Sequence, residues 1–424
     1  MSQTAQAQTV QAMQPDRLRG AAPGVTADQL VERARALVPV LRERAAGAER
    51  LRRLPEETVR DLEAAELCKI WIPRRYGGSE HDLAAGLRIL QETARGCAST
   101  AWCLSVYQQH SWIAAHFPEA AQRETLEAEP NFHIAAVLAP RGKARKVEGG
   151  HVLSGIWPFA SGSNHGTWIM LGGLVVDDDG REIPLDRKID GLPAQNVRLF
   201  LLPIGDVENK DDWEAAGLAA TGSHSIAVTE TFVPDHRSLS IPDALEGKAP
   251  GRALHSAPIF QTTYYAFLVT ALGGLAPGVV RGALEVFLEN IEKRVVMPMN
   301  KIQRDMARTH RLIGAVETKI RLSELMLDDC AARITEASLA GRLLDAGARA
   351  RCRLDVASAV DLAYEATEMI FFAAGGSTLN LKHPIQRAMR DMHAIKAHYF
   401  MDIETAQELR GMTTLGVAPY TYVF

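Results

Sequence analysis

The side chains of this chain with the widest chemical reach near neutral pH are its 13 histidines and five cysteines. Histidine changes charge around pH 6.5 and can act as acid, base or metal ligand. The cysteines are Cys68, Cys97, Cys103, Cys330 and Cys352, odd in number and without a CxxC pair. That spacing indicates neither a zinc site nor a disulfide framework and suits a reducing, cytoplasmic setting. His110 and His116 are six apart, and Asp391 and His393 two apart, so neither pair shares a helix face. No HExxH or two-histidine, one-carboxylate pattern is legible, and metal catalysis is not indicated. No GxGxxG follows an early strand, so a Rossmann-type nicotinamide site is not indicated either. Three places stay open on residue type alone. His110 sits beside Tyr107 and Trp112, where a histidine is ordinarily a satisfied core residue. Ser161 begins a Ser-Gly-Ser turn, whose serines ordinarily bond nearby backbone. His393 and His398 are five apart, which puts them on different faces if one helix carries both.

The elements that must position these residues fall into zones. Residues 1–24 are rich in Gln, Ala and Pro and are expected to form a disordered tail without signal-peptide character. Residues 25–128 read as an N-terminal helical domain. Thr26 is placed as an N-cap, and Leu30, Ala34, Leu37, Val38 and Leu41 follow at steps of one to four residues. A second helix is expected with Pro55 in its first turn, and a third from Asp82. Residues 129–245 read as a β domain, with short apolar runs at 132–138, 168–176 and 197–202 and an alternating segment at 225–234. Residues 246–424 read as a helical bundle, from periodic stretches at 267–294, 306–332 and 343–373. The fold class is therefore α+β, mostly α.

Hydrophobic residues make up 47% of the 424 and charged residues 23%, with a net charge of −4, an ordinary soluble balance. Nothing in that balance calls for nucleic acid or a membrane surface as partner. No apolar run is expected to reach the roughly 18 residues of a membrane span.

Helices, a compact β domain and a bundle, in that order, resemble the acyl-CoA dehydrogenase superfamily, whose centre is a β-barrel-like domain and whose C-terminus is a four-helix bundle. Local strings carry the resemblance from about residue 50 onward: Ile72-Pro73 with Tyr76-Gly77-Gly78, then Ala98-Ser99-Thr100-Ala101-Trp102, then Trp213, Gly217, Thr221-Gly222-Ser223 and Phe232-Val233-Pro234, and last Pro384, Arg387 and Arg390-Asp391. The sequence departs from the dehydrogenases themselves. Their Thr-Glu-Pro flavin loop is matched by Leu138-Ala139-Pro140-Arg141-Gly142, and no Tyr-Glu-Gly-Thr follows Arg390-Asp391. The pattern is closer to the group D two-component flavin-dependent monooxygenases, the family of the p-hydroxyphenylacetate hydroxylases. In their oxygenase components a helix supplies a His, the β domain a Ser beside the flavin, and the last helix a second His. His110, Ser161 and His398 stand in those contexts.

What the resemblance implies is an enzyme taking reduced FMN or FAD and O2, inserting one oxygen atom into a small aromatic substrate through a flavin C4a-hydroperoxide. Reduced flavin would come from a separate NAD(P)H:flavin reductase, and the assembly would be a homotetramer. Ser161 would hold the flavin N5 proton. His110 would act as base on the substrate ring, and His398 would supply or orient a proton for the peroxide. Trp157 and Phe159 would pack on the isoalloxazine, with Arg294 and Gly375-Gly376-Ser377 approaching the cofactor, the glycine turn from a neighbouring subunit. Ala136 and Tyr265 would line the substrate pocket, at positions where p-hydroxyphenylacetate hydroxylases carry a hydroxyl donor and a cation. Their loss favours an uncharged ring, a phenol or an indole. The alternatives are an N- or S-oxygenase of the same fold and an FAD-dependent acyl-CoA dehydrogenase.

Overall fold

The computed structural model describes residues 24–128, 131–297 and 299–424. All but the last residue of the expected tail lies outside them. Helix α1 (Ala27–Leu51) starts where local chemistry places it: the Thr26 Oγ1 accepts the Gln29 N–H and the Gln29 side chain accepts the Thr26 N–H, a capping box. Pro55 is the N-cap of α2 (Glu56–Ala64) rather than part of its first turn. Asp82 caps α3 (Leu83–Gly96) through the Ala85 N–H at 2.8 Å. Helix α4 (Ala98–Ala114) is buried at every position, polar residues included. A helix with no solvent face is the centre of its domain, and its polar side chains must find partners inside. A short α5 (Glu119–Gln122) ends this domain.

The β domain comprises β1 (Ile134–Val147), β2 (Gly150–Ala160), β3 (Trp168–Val176), β4 (Lys188–Ile189), β5 (Leu192–Pro193), β6 (Val197–Pro203), β7 (Glu208–Asn209), β8 (His224–Pro234) and β9 (Ser238–Ser240). Seven of these form one sheet, ordered β7-β8-β2-β1-β3-β6-β9, in which β1 and β3 run parallel. Strand β1 continues well past the run at 132–138. It passes Pro140 at an irregularity between Val137 and Gly142, the kind of place where a residue without an N–H is tolerated. The expected flavin loop is thus part of a strand.

The C-terminal part contains α6 (Ile241–Leu245), α7 (Tyr264–Gly273), α8 (Ala276–Ile291), a hairpin of β10 (Val295–Val296) and β11 (Lys301–Ile302), α9 (Ala307–Leu339), α10 (Ala346–Ala374), α11 (Pro384–Lys396) and α12 (Ile403–Thr414). The stretch expected as one helix from 267 is two. The chain breaks at Gly274, where a Cβ would lie 2.3 Å from Leu87, and Pro277 opens the next helix. Contrary to expectation, Tyr264–Ile291 is long and apolar enough to span a membrane by length and composition. In the fold it is a core segment, with nearly all of that window buried.

Helix α11 joins the bundle to the β domain. Asp391, buried there, accepts the Leu218 N–H at 2.7 Å, and Arg390 donates to the Ala216 carbonyl at 2.5 Å. Between them, a Cβ on Gly217 would lie 2.0 Å from the Arg390 carbonyl oxygen. Gly217→Ala is therefore expected to destabilise the protein by about 1–3 kcal/mol through backbone overpacking. A urea midpoint equal to that of the wild type would show that the two backbones can separate without cost.

Candidate active site

The face of α4 turned to the β domain carries four side-chain contacts. The Cys103 thiol reaches the Thr221 carbonyl, the Tyr107 hydroxyl donates to the Gly162 carbonyl at 2.9 Å, and His110 Nδ1 meets the Ile134 carbonyl at 3.0 Å. Trp102 Nε1–H donates to Ser161 Oγ at 3.1 Å. The Trp102 ring also meets His398 edge to face, with centroids 5.7 Å apart. Trp102 thus joins two of the expected residues, Ser161 and His398, into one buried group. His110 lies eight residues further along the same helix, roughly 12 Å along its axis.

Hydrogen-bond partners assign the protons. A carbonyl only accepts, so His110 carries its proton on Nδ1 and presents a bare lone pair at Nε2. His398 Nδ1 accepts the Phe400 N–H at 3.2 Å, so its proton is on Nε2. Burial pushes both imidazoles down to about 4, with the Arg353 charge adding to the effect at His398. Both are therefore neutral at working pH, one an acceptor and the other a donor.

His398 is not on the last long helix, as expected, but two residues beyond the end of α11, where it caps a short turn at Tyr399–Met401. Arg353 holds that turn by donating to the Tyr399 carbonyl at 2.8 Å, with its guanidinium 4.5 Å from the Tyr399 ring centroid. His393 is elsewhere: it is exposed on α11, bonded to the Met389 carbonyl and the Tyr364 hydroxyl. The helix end between them separates the two histidines. Ala136 lies on β1 two residues from Ile134, on the same face, and is buried. Tyr265 is buried on α7 against Phe400, which in turn packs on His398. Burial also pushes the Tyr265 phenol up, so it is a neutral wall.

Trp157 corrects an expectation. Its ring is sealed within the β-domain core, its Nε1–H donates to the Gly172 carbonyl at 2.7 Å, and Gly142 and Gly155 pack against it. No face remains for a cofactor. Phe159, two residues on, is 65% exposed with φ +69°. The pairing of β2 with β8 is irregular between Trp157 and Ala160, where Pro158 has no N–H to give. The irregularity turns Phe159 out while its neighbours stay in. A left-handed conformation at a bulky residue costs on the order of 1–3 kcal/mol and tends to persist at functional sites. The outward ring stands edge-on to Trp213, centroids 6.1 Å apart, and the Phe159 carbonyl accepts the Ser161 N–H at 2.9 Å. An exposed aromatic face beside a hydroxyl with a spare lone pair fits the isoalloxazine of a flavin.

Arg294 and Gly375 are together, but not here. The guanidinium donates to the Ala373 and Ala374 carbonyls, and a Cβ on Gly375, whose φ is +76°, would collide with it. Gly376 and Ser377 follow in the next turn. Along α10 this corner is 22 residues from Arg353, roughly 30 Å from the His398 turn. Within one chain it lies away from the group formed by Trp102, Ser161 and His398. Trp102, Thr221 and Ser223 were visible in the sequence as family strings only. Nothing local marked their side chains as neighbours of Ser161.

The chain matches two family models, "Acyl-CoA dehydrogenase, N-terminal domain" over residues 26–127 and "Acyl-CoA dehydrogenase, C-terminal domain" over residues 270–403. It is 32% identical over 392 residues to the flavin-dependent monooxygenase oxygenase subunit HsaA of Mycobacterium tuberculosis, covering 90% of this chain and 94% of that one. The crystal structure of that protein superposes with a TM-score of 0.86, covering 94% of this chain and all of the other. The oxygenase component of p-hydroxyphenylacetate 3-hydroxylase from Acinetobacter baumannii is 27% identical over 408 residues, covering 94% of this chain and 91% of its own. XiaF from a Streptomyces species, solved with FADH2 and glycerol, is 28% identical with a TM-score of 0.84, covering 93% of this chain and 97% of that one.

Proposed function

Because the chain belongs to the acyl-CoA dehydrogenase family, among its flavin-dependent monooxygenase oxygenase components, we propose that it hydroxylates a small, uncharged aromatic ring, a phenol or an indole. Reduced FAD or FMN, delivered by a separate NAD(P)H:flavin reductase, supplies the activation of O2 when bound. The observation that carries the reading is the division of proton roles. His110 Nε2 can take a proton from a ring O–H or N–H, and the neutral His398 can offer a hydrogen bond from Nε2–H at the other end of the site. Ser161 and Phe159 would hold the flavin ring, and the buried apolar walls of α4 and α7 exclude water from it.

The substrate class rests on the charges around the site. Ala136 offers no hydroxyl and Tyr265 no cation. Arg353, the buried cation beside Phe400, gives both terminal nitrogens to the Tyr399 and Val423 carbonyls, and only its Nε is left without a partner among the described residues. A carboxylate on the substrate would be buried without a partner, at a cost of several kcal/mol.

A homotetramer in a reducing cytoplasm is part of the same proposal. All five cysteines are buried, free thiols, which supports the compartment. Exposed Met297, Phe372, Leu379 and Leu381 around the Arg294–Gly375 corner support a bundle face covered by another copy. That arrangement would let the corner serve a neighbouring subunit's flavin, since it lies away from the His398 turn of its own chain.

The test is turnover of chemically reduced FAD and FMN under 18O2 with a panel of phenols, indoles and their carboxylated analogues. One 18O atom in a neutral-ring product is expected, with the carboxylated analogues at least tenfold slower. Hydrogen peroxide as the sole oxygen product for every ring, together with bleaching of bound oxidised FAD by an acyl-CoA, would establish the dehydrogenase instead.

A further inference from the structure

Four contacts run in series through Ser161. Trp102 Nε1 lies 3.1 Å from Ser161 Oγ, which lies 2.7 Å from Ser223 Oγ. Ser223 Oγ lies 2.6 Å from Thr221 Oγ1, which lies 2.8 Å from the Leu218 carbonyl oxygen. All four side chains are buried, so water does not substitute for a missing partner. The indole nitrogen can only donate, the carbonyl can only accept, and each hydroxyl has one proton. One assignment gives every contact a proton: Trp102 donates to Ser161, Ser161 to Ser223, Ser223 to Thr221, and Thr221 to Leu218. Running the hydroxyls the other way leaves two oxygens facing each other at Thr221 and Leu218 with no proton between them.

We infer that Trp102, Ser223 and Thr221 are positioning residues that leave Ser161 Oγ only an acceptor toward the flavin, its proton being drawn away to Ser223. The inference rests on the reading above that a flavin ring lies against Ser161. One of the two Ser161 lone pairs is taken by Trp102, and the other is left for the ligand. Reduced flavin carries a hydrogen on N5, and oxidised flavin carries a lone pair there. The series therefore holds the reduced ring and sets two lone pairs against each other in the oxidised one. This gives the protein a reason to take reduced flavin from its reductase and release it once oxidised.

The experiment is to titrate wild type, Ser161→Ala, Thr221→Val, Thr221→Ser and Ser223→Ala with oxidised flavin in air and with reduced flavin under argon. The readout is the ratio of the two dissociation constants. In Thr221→Val the Ser223 proton loses its acceptor and turns to Ser161, whose own proton then swings toward N5. In Ser223→Ala the Ser161 proton is freed directly. Both variants are expected to lower the preference for reduced flavin by about threefold to tenfold, the range for one hydrogen bond. A tenfold change corresponds to about 30 mV in the bound two-electron potential. Thr221→Ser keeps the hydroxyl and should keep the ratio. A merely structural loss would weaken both forms alike and leave the ratio unchanged. An unchanged ratio in Thr221→Val and Ser223→Ala, with a collapsed ratio in Ser161→Ala, would overturn the series while leaving the flavin site standing. A ratio that Ser161→Ala also leaves unchanged would remove the flavin from Ser161, and this inference with it, while the 18O2 test above decides the reaction separately.

Discussion

His110→Asn is expected to lower product formation by about 10²- to 10⁴-fold, the usual contribution of a positioned general base, while reduced flavin is still consumed. Asparagine can keep the donation to the Ile134 carbonyl, because its amide nitrogen stands close to where Nδ1 was. It has no group in place of Nε2, so the substrate proton loses its acceptor and the rest of the site is spared. Oxygen should then leave as hydrogen peroxide, and product formed per flavin oxidised should fall with the rate. His110→Gln is the companion variant: it reaches toward the Nε2 position but gives up the tether on β1. Measuring product and peroxide together for both variants separates loss of the base from loss of the flavin. A His110→Asn enzyme within threefold of wild type in product yield would move the base elsewhere. The low imidazole position has a kinetic consequence. A group held down at about 4 by burial is already in its basic form at pH 5. Any acid limb in the rate due to His110 should therefore fall below pH 5 rather than near 6.5.

The second large effect is on stability in acid. His110, His116, His151 and His255 are each buried, and burial holds each imidazole down to about 4. In the unfolded chain they titrate near 6.5. Between those values the unfolded state binds more protons than the folded one, so stability falls as pH drops from about 6.5 toward about 4. For the deeply buried His110 and His116 the loss is on the order of 3 kcal/mol each when complete. His133 works in the other direction. Burial opposes its charge, but Cys68 and the Glu63 carboxylate, which His133 Nε2 meets at 2.8 Å, outweigh it and raise it to about 9. Its contribution is present below about 6.5 and fades as pH rises through 9, which offsets part of the acid loss without cancelling it. Urea midpoints measured from pH 6.5 down to pH 4.5 should fall steadily. His116→Asn, away from the catalytic group and able to keep a donor toward the Trp112 carbonyl, should flatten the slope by up to one proton. A midpoint flat across that range would mean that the folded protein takes up these protons without strain.

The order of elements, the starts of α1 and α3 and the β-domain strands expected at 168–176 and 197–202 were legible in the sequence. Capping, turn chemistry and hydrophobic period act over a few residues and survive without a tertiary context. The types of residue able to do the chemistry were legible for the same reason, since His and Ser carry their proton chemistry wherever they stand. What only the tertiary structure decided is where each proton sits and which side chain faces the site. His110 takes its tautomer from Ile134, 24 residues away, and Ser161 its polarity from Trp102, 59 residues away. A single proline in β2 sends Trp157 into the core and Phe159 out of it. A helix ending at Lys396 gives His398, and not His393, to the site. The length of α10 holds Arg294 and Gly375 far from the His398 turn. Hydrogen-bond direction and burial belong to pairs of groups, and in this protein the members of those pairs are brought together only by the fold.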